Sequence, residues 1–196
     1  SNNPAVPLIR RYQLSADPSI RLWKSARDGD RESLELLLRQ HQDLVYRFCR
    51  ARLPSENRAI DATQETAMRM INNLSNFRGN GKFSTWFLGI ANNVCREFQR
   101  QDKKWNQSPE DAVERIPANE SAYLTDLSKN LESENLHHLI ESLPDRQRTA
   151  IILRYFESLP LKEIAQVMNI SVGTVKATLN QATHKLKQRF PEGDFC

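Results

Sequence analysis

Residues 56–104 constrain this chain more than any other stretch. The front, ENRAIDATQETAMRMINNL, has helical periodicity and few charges. The middle, SNFRGNGKFSTWF, sets aromatic side chains among two glycines and two cations. The back, LGIANNVCREFQRQDKKW, is helical again and turns basic. A helix, an aromatic–glycine loop and a basic helix predict a module that docks on a protein partner with one end. The other end is expected to open a DNA strand.

The rest of the chain is helical by the same criteria. Asp17-Pro18 opens a short helix through Arg27, with Pro at its first turn. From Arg31 to Leu53, residues Leu34, Leu37, Leu38, Leu44, Val45 and Phe48 recur at three- and four-residue steps and make one apolar face. Pro54-Ser55 ends that helix and starts the next, whose core face is read as Ile60, Met68, Ile71 and Leu74. The loop spans Ser75 to Lys82, and its glycines, Gly79 and Gly81, allow backbone conformations that other residues avoid. Ser84 is expected to cap the basic helix that follows.

Periodicity then fades until about Glu132, and a short helix is expected at Asn135–Leu143. Leu143-Pro144 starts a helix with Ile151, Ile152, Tyr155 and Phe156 as its core. Residues 161–168, a turn at Asn169-Ile170-Ser171 and residues 172–189 read as helix–turn–helix. Ile164, Ala165 and Met168 should pack on Val175, Leu179 and Leu186, with Ser171 as the cap of the second helix. The first turn of that helix, with Gly173, Thr174 and Lys176, would meet bases or phosphates in a major groove. No strand pattern appears, so the expected fold is all-α: two small helical domains on a flexible linker.

Charge follows the same division. Residues 1–104 hold 18 Lys and Arg against 11 Asp and Glu. Residues 105–142 hold 2 against 8, and residues 143–196 hold 8 against 5. Two basic blocks flanking an acidic one suit a polyanionic partner. No apolar run approaches the roughly 20 residues of a membrane span, and residues 1–18 lack the apolar core of a secretory leader. Ser1-Asn2-Asn3 is read as a tag remnant or processed end. Cys49, Cys95 and Cys196 have neither disulfide-framework nor zinc spacing and fit a reducing cytoplasm. His41, His137, His138 and His184 form no ligand set with them. No phosphate loop, triad or carboxylate pair stands out, so neither catalytic residues, a cofactor, a metal nor an enzyme activity is expected.

Two runs carry a family resemblance. QETAMRMINNLSNFRGNGKFSTWFLGIANNVCREFQR resembles the second domain of extracytoplasmic-function (ECF) sigma factors, and ESLPDRQRTAIILRYFESLPLKEIAQVMNISVGTVK resembles their fourth. The resemblance covers about residues 17–104 and 133–190 in the family's order. It implies an extension at 1–16, sigma domain two at 17–104, an acidic linker at 105–132, sigma domain four at 133–190 and a tail at 191–196. It also implies core RNA polymerase and promoter DNA, duplex and melted, as partners.

On this resemblance Asp61, Gln64 and Glu65 dock on polymerase. Asn76, Phe77, Arg78, Asn80, Lys82, Phe83 and Trp86 capture an unpaired base of the −10 element, by stacking and by edge hydrogen bonds. Phe83 and Trp86 could equally be core. Asn92, Asn93, Arg96 and Arg100 can follow phosphates. Ser171, Gly173, Thr174, Lys176, Ala177, Asn180 and Lys185 face the −35 element. The linker either mimics nucleic acid on the RNA exit path or is a solvated tether.

Two departures qualify the resemblance. Ala177-Thr178-Leu179-Asn180-Gln181-Ala182-Thr183-His184 lacks the arginines that usually continue the recognition helix, which weakens or retunes upstream binding. The family's acidic docking cluster is also reduced to Asp61 and Glu65, with Arg58 and Ile60 where acids usually stand. Thr63 lies on the same helical face as Ala59 and Ile60. A phosphate there would add about −1.5 to −2 charge. ECF groups lacking the cluster are associated with Ser/Thr kinases, so phosphorylation of Thr63 is expected to switch on polymerase binding, with Thr66 and Ser55 as the next candidates. An anti-sigma partner would leave no signature here. The rival readings are a helix–turn–helix regulator acting on duplex DNA alone and a basic interaction protein, and both leave the FRGNGKFSTW loop without a role.

Overall fold

The computed structural model describes residues 17–106 and 138–189. Side chains that take up free backbone N–H groups set where the first helices begin. Asp17 accepts the Ser19 N–H at 3.0 Å and opens α1 (Pro18–Arg27). Asp30 accepts the Glu32 N–H at 3.2 Å and opens α2 (Arg31–Arg52). Ser55 accepts the Arg58 N–H at 3.3 Å and opens α3 (Glu56–Asn72). A single 3-10 turn, Leu74–Asn76, leads through the loop into α4 (Phe83–Asn106). Ser84 lies inside α4 and is not its cap. The second oxygen of Asp17 accepts the Phe83 N–H at 2.9 Å instead, so one carboxylate holds the starts of α1 and α4 together.

These helices close over Leu37, Val45, Phe48, Phe83, Phe87, Leu88 and Val94, all buried. Full burial of such a side chain contributes about 1.5–3 kcal/mol. Leu34, Leu38 and Leu44 pack half-buried on the same core, as the apolar face of α2 predicts. Leu74, just past α3, is buried as expected, but along α3 itself the prediction is reversed. Ala59, Ala62, Thr66 and Met70 face inward, while Ile60, Met68 and Ile71 are exposed. Both sets repeat at helical spacing. Small residues let α3 approach its neighbours closely, so the stripe of larger side chains turns to solvent.

The second domain follows a short helical stretch at residues 138–141. It consists of α5 (Asp145–Ile151), one π-helical turn (Ile152–Phe156), α6 (Leu161–Met168) and α7 (Val172–Arg189). Ile151, Ile152, Leu153, Ile164, Ala165, Met168, Val175, Leu179 and Leu186 are buried, but Tyr155 and Phe156 are exposed. The wider π-turn shifts the register of the side chains after it. Leu153 goes inward and the two aromatics, expected in the core, go outward. Every regular element among the described residues is helical, so the fold is all-α. The linker from residue 107 onward, the extension at 1–16 and the tail at 191–196 lie outside the described residues, as do Cys196, His137 and the first three residues of the helix expected at Asn135–Leu143, which is helical at residues 138–141.

Candidate nucleic-acid interface

The loop after α3 is shaped by its glycines. Gly79 and Gly81 have φ of 71° and 119°, left-handed values that L side chains rarely adopt. The Trp23 ring lies beneath Gly79, where an added Cβ would come within 3.2 Å of it. Trp23 is fixed in turn by its Nε1–H, which donates to the Leu74 carbonyl at 3.0 Å.

Phe77 meets Trp23, Phe83 and Trp86 at ring separations of 5.0, 5.3 and 5.3 Å. Phe77 and Phe83 are therefore core: they are 5% and 0% exposed, and neither presents a face to a base in this structure. Their apolar area is worth more inside the cluster than in water. Trp86 is half-buried and lines a cavity of about 700 Å³. Asn76, Arg78, Asn80, Lys82, Asn93 and Arg96 share that cavity.

Asn92 departs from its expected phosphate role. It is 4% exposed, its Oδ1 accepts from Arg52 at 2.9 Å, and its amide donates to the Val167 carbonyl at 3.2 Å. Asn93, Arg96 and Arg100 are exposed along α4. The far wall of the cavity is the second domain, with Gln166, Asn169 and Ile170. Glu163 of α6 pairs with Lys82 at 2.8 Å and accepts from Thr85 at 3.0 Å.

In the helix–turn–helix unit, Asn169 takes a left-handed conformation that ends α6. Ser171 accepts the Thr174 N–H at 3.0 Å and caps α7. Gly173, Lys176, Ala177, Asn180 and Lys185 are exposed with Ser171, and Thr174 is half-exposed. Val175, Leu179 and Leu186 bury the opposite face.

On α3, Asp61 and Gln64 are exposed. Glu65 bonds Arg69 at 2.6 Å, and Arg69 also grips Glu97 through two bonds of 2.9 and 2.7 Å. The Arg69 guanidinium keeps the Glu97 carboxyl below the usual range. Arg58 pairs with Asp102 and lies over the Phe98 ring at 4.4 Å, so its charge is answered within the domain. Thr63 is half-buried and its hydroxyl donates to the Ala59 carbonyl at 2.7 Å. Thr66 is buried and Ser55 is occupied as a cap. Buried Cys49 and Cys95 are free thiols 3.7 Å apart. No group of three His, Cys, Asp or Glu side chains among the described residues could hold a metal, and no described helix is long and apolar enough to cross a membrane.

Residues 37–105 match the family model described as Sigma-70 region 2, and residues 133–186 match Sigma-70, region 4. The ECF RNA polymerase sigma-E factor of Salmonella typhimurium is 31% identical over 176 residues, covering 86% of this chain and 92% of that protein. The chain is an ECF sigma factor. The ECF RNA polymerase sigma factor SigW of Bacillus subtilis is 29% identical over 182 residues, covering 85% of this chain and 93% of that protein. The fold is shared with CnrH, solved in complex with the cytosolic domain of CnrY. Its TM-score is 0.67 at 22% identity, with 89% of this chain and 97% of that one covered. RpoE of Bartonella quintana, solved in complex with the anti-sigma factor NepR, aligns with a TM-score of 0.62 at 18% identity, over 79% and 94% of the two chains.

Sigma factors are DNA-recognition subunits of RNA polymerase, not enzymes. The region 2 match takes in the stretch that a duplex-only regulator leaves without a role, so that reading is not favoured. Two residues of this sigma factor escaped the sequence reading of its site. Arg52 falls in register with Val45 and Phe48 on the apolar face of α2, and a charge in that register was its signal. Glu163 offered no such signal, because its partners Lys82 and Thr85 are remote in sequence.

Proposed function

We propose that this sigma factor docks on core RNA polymerase through the outer face of α3 and is switched on by phosphorylation of Thr63. The observation that carries the reading is the charge balance of that face. Half-buried Glu65 shares the single charge of Arg69 with Glu97, leaving Asp61 as the exposed acid beside the apolar stripe of Ile60, Met68 and Ile71. A phosphate on Thr63 adds about −1.5 to −2 charge one helical turn from Ile60, on the same face. On phosphorylation by a Ser/Thr kinase, the Thr63 hydroxyl leaves the Ala59 carbonyl, and the new dianion faces the basic surface that the missing acids would have met.

The two domains are residues 17–104 and 133–190, joined by an acidic linker. Upstream duplex DNA is read by Ser171, Gly173, Thr174, Lys176, Ala177, Asn180 and Lys185. The melted strand is held by Asn76, Arg78, Asn80, Lys82 and Trp86, with Asn93, Arg96 and Arg100 along its phosphates. Phe77 and Phe83 support that surface from beneath. The protein works in the cytoplasm, where polymerase is. An anti-sigma factor is a further expected partner, by likeness to the fold of RpoE in complex with NepR.

Reconstituted transcription tests the reading. The phosphorylated protein with core polymerase should initiate at a specific promoter, and the unmodified protein should initiate weakly. Thr63→Ala should abolish the response to kinase while leaving the fold intact. Full activity of Thr63→Ala in cells would overturn the switch.

A further inference from the structure

The helix–turn–helix domain closes over the face that strand capture needs. Glu163 spends both carboxylate oxygens on the first domain: one lies 2.8 Å from Lys82 Nζ and the other accepts from the Thr85 hydroxyl at 3.0 Å. One turn further along α6, the Val167 carbonyl accepts from Asn92 at 3.2 Å. Deeper in the seam, the wholly buried Arg52 side chain donates to Asp145 at 2.7 Å. At the rim, Arg47 pairs with Glu157 at 3.3 Å. Gln166, Asn169 and Ile170 form the wall opposite Asn80, Trp86 and Arg96.

Each of the two central pairs has one buried end. The side chains of Glu163 and Arg52 are 16% and 0% exposed, against 57% and 40% for their partners Lys82 and Asp145, so solvent screens these pairs in part, less than it screens two exposed charges. The recognition face of α7 takes no part in these contacts, and Gly173, Lys176, Ala177 and Asn180 remain exposed.

We infer that this contact is autoinhibitory. In the free sigma factor Glu163 holds Lys82 and Thr85, and the second domain shields the strand-capture face until polymerase parts the two domains. The inference rests on the strand-capture role proposed above. A strand phosphate and the Glu163 carboxylate compete for one ammonium group, so closure and strand binding exclude each other. The apparent affinity for a single strand falls with the open fraction: a chain open one tenth of the time binds about tenfold more weakly. Duplex binding by α7 escapes that penalty.

Zero-length carbodiimide coupling of the full chain tests closure directly. It should join Lys82 to Glu163 within one molecule, and added core polymerase should suppress the product. In parallel, a fluorescent single-stranded promoter oligonucleotide is titrated into wild type and into the isosteric pair Asp145→Asn with Glu163→Gln. The pair should bind about tenfold more tightly. Glu35→Gln with Asp43→Asn, which removes two exposed acids of α2, should not. Absence of the Lys82–Glu163 product in the free chain overturns closure. Equal strand affinity in wild type and the isosteric pair, with the product present, overturns inhibition. A strand that binds neither protein, even in complex with polymerase, overturns the strand-capture reading, with the product still marking the closed state.

Discussion

The Arg52 guanidinium reaches from the end of α2 to the Asp145 carboxylate at the start of α5, 2.7 Å away, and joins the two sigma domains through a side chain with no solvent exposure. Its other bonds go to Asn92 at 2.9 Å and Gln99 at 3.3 Å, both on α4. A buried cation needs this many acceptors because each unmet donor carries a desolvation cost. Asp145→Ala removes the acidic partner and leaves Arg52 buried. Stability should fall by about 1–3 kcal/mol, read by urea denaturation. Asp145→Asn keeps an acceptor and should lose less. Equal losses in the two variants would show that the bond to Asp145 is not what matters.

Acid should loosen the junction of α1 and α4 in two stages. Burial depresses the protonation of His41, and the nearby Asp17 carboxylate only partly offsets it. Burial works against the Asp17 charge as well, but the N–H groups of Phe83 and Ser19 prevail and hold its carboxyl below the usual range. Both folded values lie below the unfolded ones, so in each window the unfolded chain binds more protons and stability is lost as pH falls. The His41 loss begins below about pH 6.5 and the Asp17 loss below about pH 3.9. His41→Gln should remove the first stage and Asp17→Asn the second in denaturation curves taken across pH. A first stage that persists in His41→Gln assigns it to another group.

How legible each element was depended on whether its contacts were local. The α2 face, the Asp17-Pro18 start and the Ser171 cap were readable because helical spacing and N-cap chemistry act within a few residues. The inward face of α3 was not, because apolar size pointed to Ile60, Met68 and Ile71. The packing distance instead selected Ala59 and Ala62, and only the neighbouring helices fix that distance. Tyr155 and Phe156 were misplaced by a π-turn, which leaves no mark on a 3.6-residue pattern. At the site, the loop composition was readable. That Phe77 and Phe83 support the loop from below depends on Trp23, more than fifty residues earlier. The clasp of Glu163 on Lys82 depends on how the two domains meet, which no local pattern encodes.

The exposed stripe of α3 gives a prediction that separates docking from folding. Ile60 and Met68 are 38% and 57% exposed, so Ser at both positions should change folding stability by no more than about 0.5 kcal/mol. At an interface each truncation costs about 1–2 kcal/mol. The double variant should therefore bind core polymerase on the order of 100-fold more weakly, measured by fluorescence anisotropy with phosphorylated protein. Undiminished binding would move the docking face away from this stripe.

Gly79 joins the loop to its support, and its replacement should disable promoter opening without affecting docking. Alanine there meets two obstacles: a left-handed φ of 71° and a Cβ 3.2 Å from the Trp23 ring. Strain of this kind costs about 1–3 kcal/mol, and the loop can relieve it by lifting off Trp23. Asn80 and Lys82 then lose their position over the cavity beside Trp86. Gly79→Ala should retain core-polymerase affinity and duplex binding while slowing formation of the open complex. Permanganate reactivity of unpaired thymines at a reconstituted promoter reads that step. Normal reactivity with Gly79→Ala would show that the loop tolerates the shift and that strand capture does not depend on its contact with Trp23.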